Sequence, residues 1–247
     1  MLRCPRLWIL CVLTLLASDA LAQDSPLTPL SRDATDPTLP VDRGRGVVGF
    51  SLKPQPAGTV DSLAVRRLPT PGAPIIAYFL QQTLPESSPY VLTGLPGLTP
   101  NLVEFGYEIL GLPLDSLTPD SGWARVIYAF DAGRRPQWGW IALDTAAARV
   151  VLWTGFLPTQ DLYLADSVPW TFVDQPGGTP LPFAEPADPN DYVLHPVAAR
   201  GDWLQVRVVV PGDTCQDPQP GARTLVGWVR YLDASGRPRV WFYPRGC

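Results

Sequence analysis

Apolar and polar residues alternate with a period of two over much of this chain, in short runs that proline and glycine interrupt. Along residues 203–210, Leu204, Val206, Val208 and Val210 share one face, and Trp203, Gln205 and Arg207 share the other. That spacing predicts a half-buried antiparallel strand. From Gly46 onward the same strand-and-turn texture recurs. Thirty prolines and 21 glycines leave no room for long uninterrupted helices. The predicted fold class is mainly β and antiparallel.

An internal repeat organises these runs. The first copy reads Gly122-Trp123-Ala124-Arg125-Val126, then Gly139-Trp140-Ile141-Ala142-Leu143-Asp144, then Arg149-Val150. The second reads Asp202-Trp203-Leu204-Gln205-Val206, then Gly227-Trp228-Val229-Arg230-Tyr231-Leu232-Asp233, then Arg239-Val240-Trp241. The Trp-to-Trp intervals are 17 and 25 residues, the difference expected of an insertion in a surface loop between matched strands. Each copy opens on a Pro-Gly corner, at Pro71-Gly72 and at Pro176-Gly177. Residues 81–121 are expected as an insertion in copy one, partly stranded over Val103–Leu110, either a functional loop or decoration.

The chain begins like a processed one. Arg3 and Arg6, the apolar run Leu7–Leu16 and the small-residue site Ala20-Leu21-Ala22 predict a signal peptide over residues 1–22, cleaved near Ala22/Gln23. The product is then secreted or periplasmic, and no later run is long and charge-free enough to span a bilayer. Residues 23–43, with four prolines and no aromatic, predict a flexible leader. Cleavage removes Cys4 and Cys11, leaving Cys215 and Cys247. Two cysteines in an oxidising compartment predict one disulfide, Cys215–Cys247, worth about 3–4 kcal/mol by chain entropy.

The segment LAVRRLPTPGAPII (residues 63–76), followed by GWARV and GWIALD, resembles the bacterial Src-homology-3 (SH3b) domain family. That family shows Leu-x-Val-Arg, a proline-containing turn, an apolar pair, then Gly-Trp-x-x-Val and Gly-Trp-Val. The second copy, GDWLQVRV with GWVRY, has the same shape without the Leu-x-Val-Arg opening. The resemblance implies two tandem small antiparallel SH3-like β-barrels with loop insertions, over residues 44–160 and 161–247. It also implies residence outside the cytoplasm and binding of cell-wall peptides or other proteins.

Composition narrows the chemistry. A net charge of −4 disfavours a general nucleic-acid binder. The single histidine, His195, rules out sites needing two imidazoles, and no Gly-x-Ser-x-Gly elbow or phosphate-cradling loop accompanies it. Acids such as Asp131, Asp188, Asp191, Asp213 and Asp217 sit in turn-like contexts. No catalytic residue, metal or cofactor is predicted, and an envelope hydrolase is the least favoured reading. Tryptophan beside arginine suits stacking and bidentate hydrogen bonds to peptide carboxylates, sugars or anionic polymers. Candidate ligand contacts are Trp123 and Trp140 in copy one, with Trp203, Trp228, Arg230, Trp241 and Tyr243 in copy two. The period-2 face Arg237, Arg239, Trp241, Tyr243, Arg245 is expected to face outward. The same tryptophans also suit core filling, and an assembly module pairing with a protein partner through strand edges fits the residues as well. The expected partner is a cell-wall component or an envelope protein.

Overall fold

The computed structural model describes residues 28–29, 42–50, 60–82, 90–144, 147–165, 168–188, 191–212 and 221–243. The expected signal peptide, most of the leader and both Cys215 and Cys247 lie outside the described residues. The strands of the first half are β1 (Thr28–Pro29), β2 (Gly46–Phe50), β3 (Val60–Arg66), β4 (Ile75–Gln82), β5 (Tyr90–Gly94), β6 (Thr99–Pro100), β7 (Val103–Gly106), β8 (Ile109–Leu117), β9 (Trp123–Phe130), β10 (Pro136–Ala142) and β11 (Ala148–Leu152). A single helical turn, α1 (Trp153–Phe156), and a 3-10 turn (Leu157–Thr159) lead into β12 (Leu162–Leu164), β13 (Val193–Arg200), β14 (Trp203–Val210), β15 (Arg223–Arg230) and β16 (Val240–Phe242). The protein is mainly β, and the pairings are antiparallel.

The two halves share one strand order. The larger sheet runs β1-β5-β4-β3-β10-β9-β8-β2-β11, and the smaller runs β15-β14-β13-β12-β16. Matching β10-β9-β8-β2-β11 to β15-β14-β13-β12-β16 preserves chain order as well as neighbours. The match extends one step further. Arg66 of β3 pairs with Trp140, and Val173 forms a bridge with Trp228. Neither path closes on itself, so the barrels expected from the resemblance are not closed by ladder hydrogen bonds.

Two expectations are corrected here. The segment 81–121 is not a mere insertion: β8 lies inside the sheet, pairs with both β2 and β9, and buries Leu112 and Leu114 completely. Its hydrophobicity is diluted by Gly111 and Pro113, which masks it as a loop in the sequence. The leader is not free throughout, since Thr28 and Pro29 pair with Gly94 and Thr93 of β5.

The core is divided by β2. Val48 and Phe50 point into one hydrophobic cluster with Leu63, Phe79, Leu92 and Tyr128. Val47 points into the other, with Trp153, Leu194, Val206, Tyr231 and Trp241. Alternate side chains of one strand thus serve two cores, which is why Gly46–Phe50 is buried throughout and reads as a continuous apolar run. The chain just before β2 fastens the halves together. The Arg43 carbonyl accepts from Trp153 Nε1 at 2.8 Å, its guanidinium lies 4.3 Å from the Trp241 ring centre, and Arg45 Nε donates to the Ser235 carbonyl at 2.6 Å. Asp42 pairs with Arg237 at 3.1 Å. Asp42 and Arg43, expected in the flexible leader, hold fixed places at this seam.

Candidate functional site

The repeated Gly-Trp motif is placed by the same geometry in both halves. In the β9–β10 hairpin Trp123 lies opposite Ala142, Arg125 opposite Trp140, and Val126 opposite Gly139. In the β14–β15 hairpin Trp203 lies opposite Arg230, Gln205 opposite Trp228, and Val206 opposite Gly227. Immediately beyond, Leu143 N–H donates to the Gly122 carbonyl and Tyr231 N–H to the Asp202 carbonyl. A neighbouring segment crosses each glycine closely, and the crossing is tighter at Gly139. A Cβ on Gly139 would collide with Val65, and one on Gly227 would stand 3.0 Å from Leu181 Cδ1 and 3.1 Å from Phe172 Cβ. The residue two positions after Trp123 or Trp203 is thus brought beside the second tryptophan, on the face turned from the core.

Both faces carry tryptophan with arginine. In the second hairpin the Arg230 guanidinium lies 5.3 Å from the Trp203 ring centre, and Asp202 takes its Nε at 3.1 Å. Trp228, half-buried, lies beside Gln205 two rungs along, on the same face. In the first hairpin Arg125 lies 5.1 Å from the ring centre of Trp138, which is 43% exposed, and Asp115 approaches Arg125 at 3.5 Å. Trp123 and Trp140 are half-buried on the same strands. A ring face flanked by a carboxylate-oriented guanidinium can stack on a planar or apolar group while the guanidinium donates to an anion. The carboxylates preorient the arginines but also occupy part of their donor capacity.

Trp241 does not belong to such a surface. It is 5% exposed, with its ring edge-on to Trp153 at 5.0 Å and Arg43 stacked over it. The expected outward stripe breaks because Val240, Trp241 and Phe242 are all buried, β16 being covered on both sides. Tyr243 is 42% exposed and packs on Tyr163 at 4.8 Å between ring centres, away from the β14–β15 rungs. Arg245 lies outside the described residues. The structure therefore brings Trp203, Trp228 and Arg230 together, and separately Trp123 and Trp140. Sequence reasoning missed Arg125, Trp138 and Asp115. The Trp138–Trp140 and Trp123–Arg125 spacings of two carried that signal.

A cleft of about 370 Å³ opens at the seam, lined by Asp42, Arg43, Phe130, Pro136, Asp233, Arg237 and Pro238. Two like turns border it, Asp131-Ala-Gly-Arg-Arg-Pro136 and Asp233-Ala-Ser-Gly-Arg-Pro238. In each, the aspartate Oδ1 accepts from the N–H groups two and four residues on. These acids serve the turns, as their Gly/Pro context predicts. The Arg135 N–H, with the Arg135 side chain and the Gly133 N–H, holds Asp131 below the usual carboxylate range against partial desolvation. At Asp233 partial burial pushes upward, but the Ser235 hydroxyl and the N–H groups of Arg237 and Ser235 outweigh it, so this carboxyl is also lowered. The unfolded carboxyl titrates near pH 3.9, so these contacts stabilise fully above that pH. Their contribution is lost as pH falls through the lowered folded values. Urea midpoints are expected to drop as pH falls below about 4, and less steeply in a D131N/D233N double variant, whose amides keep an acceptor oxygen but do not titrate.

His195 sits beside Asp161, Nδ1 to Oδ1 at 2.7 Å. Among the described residues no group of three or more His, Cys, Asp or Glu is arranged to hold a metal ion, and no helix is long and apolar enough to cross a membrane. Compared with known proteins, the chain matches no family model, no curated sequence and no solved structure.

Proposed function

We propose that this chain is a secreted, non-catalytic binding protein of the bacterial cell envelope. In this reading two SH3-like units present tryptophan–arginine rungs to cell-wall peptide or glycan, or to an envelope protein. The carrying observation is the equivalent register of Trp123/Trp140 and Trp203/Trp228 on the outer faces of two hairpins, each with an arginine stacked on tryptophan. The SH3-like reading of each half is supported by the shared strand order and by the first-strand bridges at Trp140 and Trp228. The envelope setting rests on the signal-like N-terminus and on the SH3b resemblance.

The test is retention of the protein on purified cell-wall sacculi. A W228A/R230A variant, with unchanged urea midpoint, is expected to lose retention by at least tenfold, because it removes a ring and the guanidinium from one face of the hairpin. Unfolding of the variant would make Trp228 a structural residue and move the site to the first hairpin. No retention of the unaltered protein would reject wall binding. A co-purifying envelope protein would then favour the assembly reading.

A further inference from the structure

We propose that the outer face of the β14–β15 hairpin, with the end of β13, recognises an extended polyanionic glycan, a sugar polymer bearing carboxylates or sulfates along its length. This rests on the binding reading given above and narrows its ligand class. The two halves diverge here in one consistent direction. Arg200 of β13 and Arg230 of β15 lie on either side of Trp203, and Arg207 follows four residues on along the same face. The first half places Thr118, Ala142 and Ile127 at the corresponding stations. Thr118 N–H donates to the Trp123 carbonyl, Ala142 lies opposite Trp123, and Ile127 stands four residues beyond it. Ile127 is completely buried, whereas Arg200, Arg207 and Arg230 are all exposed.

The added charge is not balanced. Among the described residues Asp202 is the one carboxylate paired with any of the three arginines, taking Arg230 Nε at 3.1 Å. Asp161 is engaged with His195, the residue opposite Arg207. Two strand spacings separate the backbones of Arg200 and Arg230, about 10 Å, and four residues separate Trp203 from Arg207, about 13 Å. Charges at those intervals meet several anionic groups on one extended chain rather than a single small ion. Among them lie Trp203, Gln205 and Trp228, two rings and an amide. The rings suit the C–H faces of sugars, the amide donates to and accepts from hydroxyls, and the guanidiniums pair with the anionic oxygens. A nucleic acid, with a phosphate about every 3.4 Å along each strand, is too dense in charge for three arginines so spaced. An acidic peptide has no sugar faces to lay on two tryptophans.

The experiment titrates the full-length protein against fluorescein-labelled polygalacturonate, dextran sulfate and neutral dextran. The anionic polymers are expected to bind at least tenfold more tightly than dextran, with affinity falling at least fivefold between about 50 and about 200 mM salt. R207Q is expected to weaken that binding at least fivefold, and R200Q/R207Q at least tenfold, with unchanged urea midpoints. R149Q, the same charge change at an exposed arginine of β11, is expected to stay within twofold of the unaltered protein. Binding of one anionic polymer alone supports the class and tells carboxylate from sulfate. Dextran binding as tightly as the charged polymers, or no binding of either charged polymer, overturns it. Equal losses in R149Q and R207Q overturn the site in favour of general charge attraction. Tighter binding of polyglutamate or of a single-stranded polynucleotide overturns the glycan assignment. Retention on sacculi that W228A/R230A abolishes and R200Q/R207Q leaves unchanged keeps the wall-binding face and overturns its polyanionic ligand.

Discussion

Replacing Trp153 with alanine is expected to cost about 3–5 kcal/mol of stability, the largest effect of any single substitution in the seam. The side chain is completely buried. It packs edge-on to Trp241 at 5.0 Å between ring centres, lies against Phe156 at 5.9 Å, and sends its Nε1 to the Arg43 carbonyl. Its removal leaves a cavity in the cluster that Val47 and Val151 share with the second sheet. A Trp153→Phe variant keeps much of the packing but loses the hydrogen bond to Arg43. It is expected to cost about 1–3 kcal/mol, from the lost hydrogen bond together with the smaller ring. Because β2 feeds both cores, the two halves are expected to unfold in one transition. Urea denaturation followed by tryptophan fluorescence and by far-UV circular dichroism checks this. Two separated transitions, or a loss below about 1 kcal/mol for Trp153→Ala, would show that the seam is not a shared core.

The second large effect separates two glycines that look alike in the sequence. Gly139→Ala is expected to destabilise by about 1–3 kcal/mol through overpacking, since the new methyl meets Val65 and stands 3.2 Å from the Arg66 carbonyl oxygen. Gly227→Ala meets the end of the Leu181 side chain first, at 3.0 Å, and a leucine tip can move. Alanine at either place also restricts the unfolded chain, which favours folding by about 0.4–1 kcal/mol where the native conformation tolerates it. The net change at Gly227 is therefore expected to lie within about 1 kcal/mol of zero, and well below that at Gly139. Equal losses at the two positions would mean that the crossing strand yields as readily over β10 as over the smaller sheet.

The repeated turn around the seam offers a check of local strain. Arg134 and Gly236 occupy the same place in the two Asp-to-Pro turns, and both have positive φ, 61° and 81°. Glycine is at ease there and arginine is not, so part of the first turn's stability is lost to backbone strain that the second avoids.

Much of this architecture is legible in the residues themselves. Alternation over residues 203–210 and the Gly-Trp spacings are local properties, set by the side-chain period of a strand, and they mark out the matched segments of the two halves. The matched order of motifs likewise anticipates the matched order of strands, because sequential strands pair with neighbours along the chain. The turn aspartates follow from their Gly and Pro neighbours, whose backbone needs are equally local.

Other features were settled only when distant segments met. β8 looks like loop material because Gly111 and Pro113 break its pattern, and its place between β2 and β9 makes it core. Trp241 and Tyr243 are two residues apart and belong to one period-2 set, yet one is buried against Trp153 and the other is exposed. Period alone divides a strand into two faces; it does not say how many of those faces another layer will cover. For β16 and β2 the second face is covered by the other half of the molecule, and that arrangement depends on contacts such as Arg43 with Trp241 that no local pattern encodes. The sequence by itself determined the strand over residues 203–210, the repeated Gly-Trp motifs and the Gly/Pro-flanked turns, since those follow from neighbouring residues. Which tryptophans face solvent, and that the two halves share a core, were decided by tertiary packing, because burial is a property of what arrives from elsewhere in the chain.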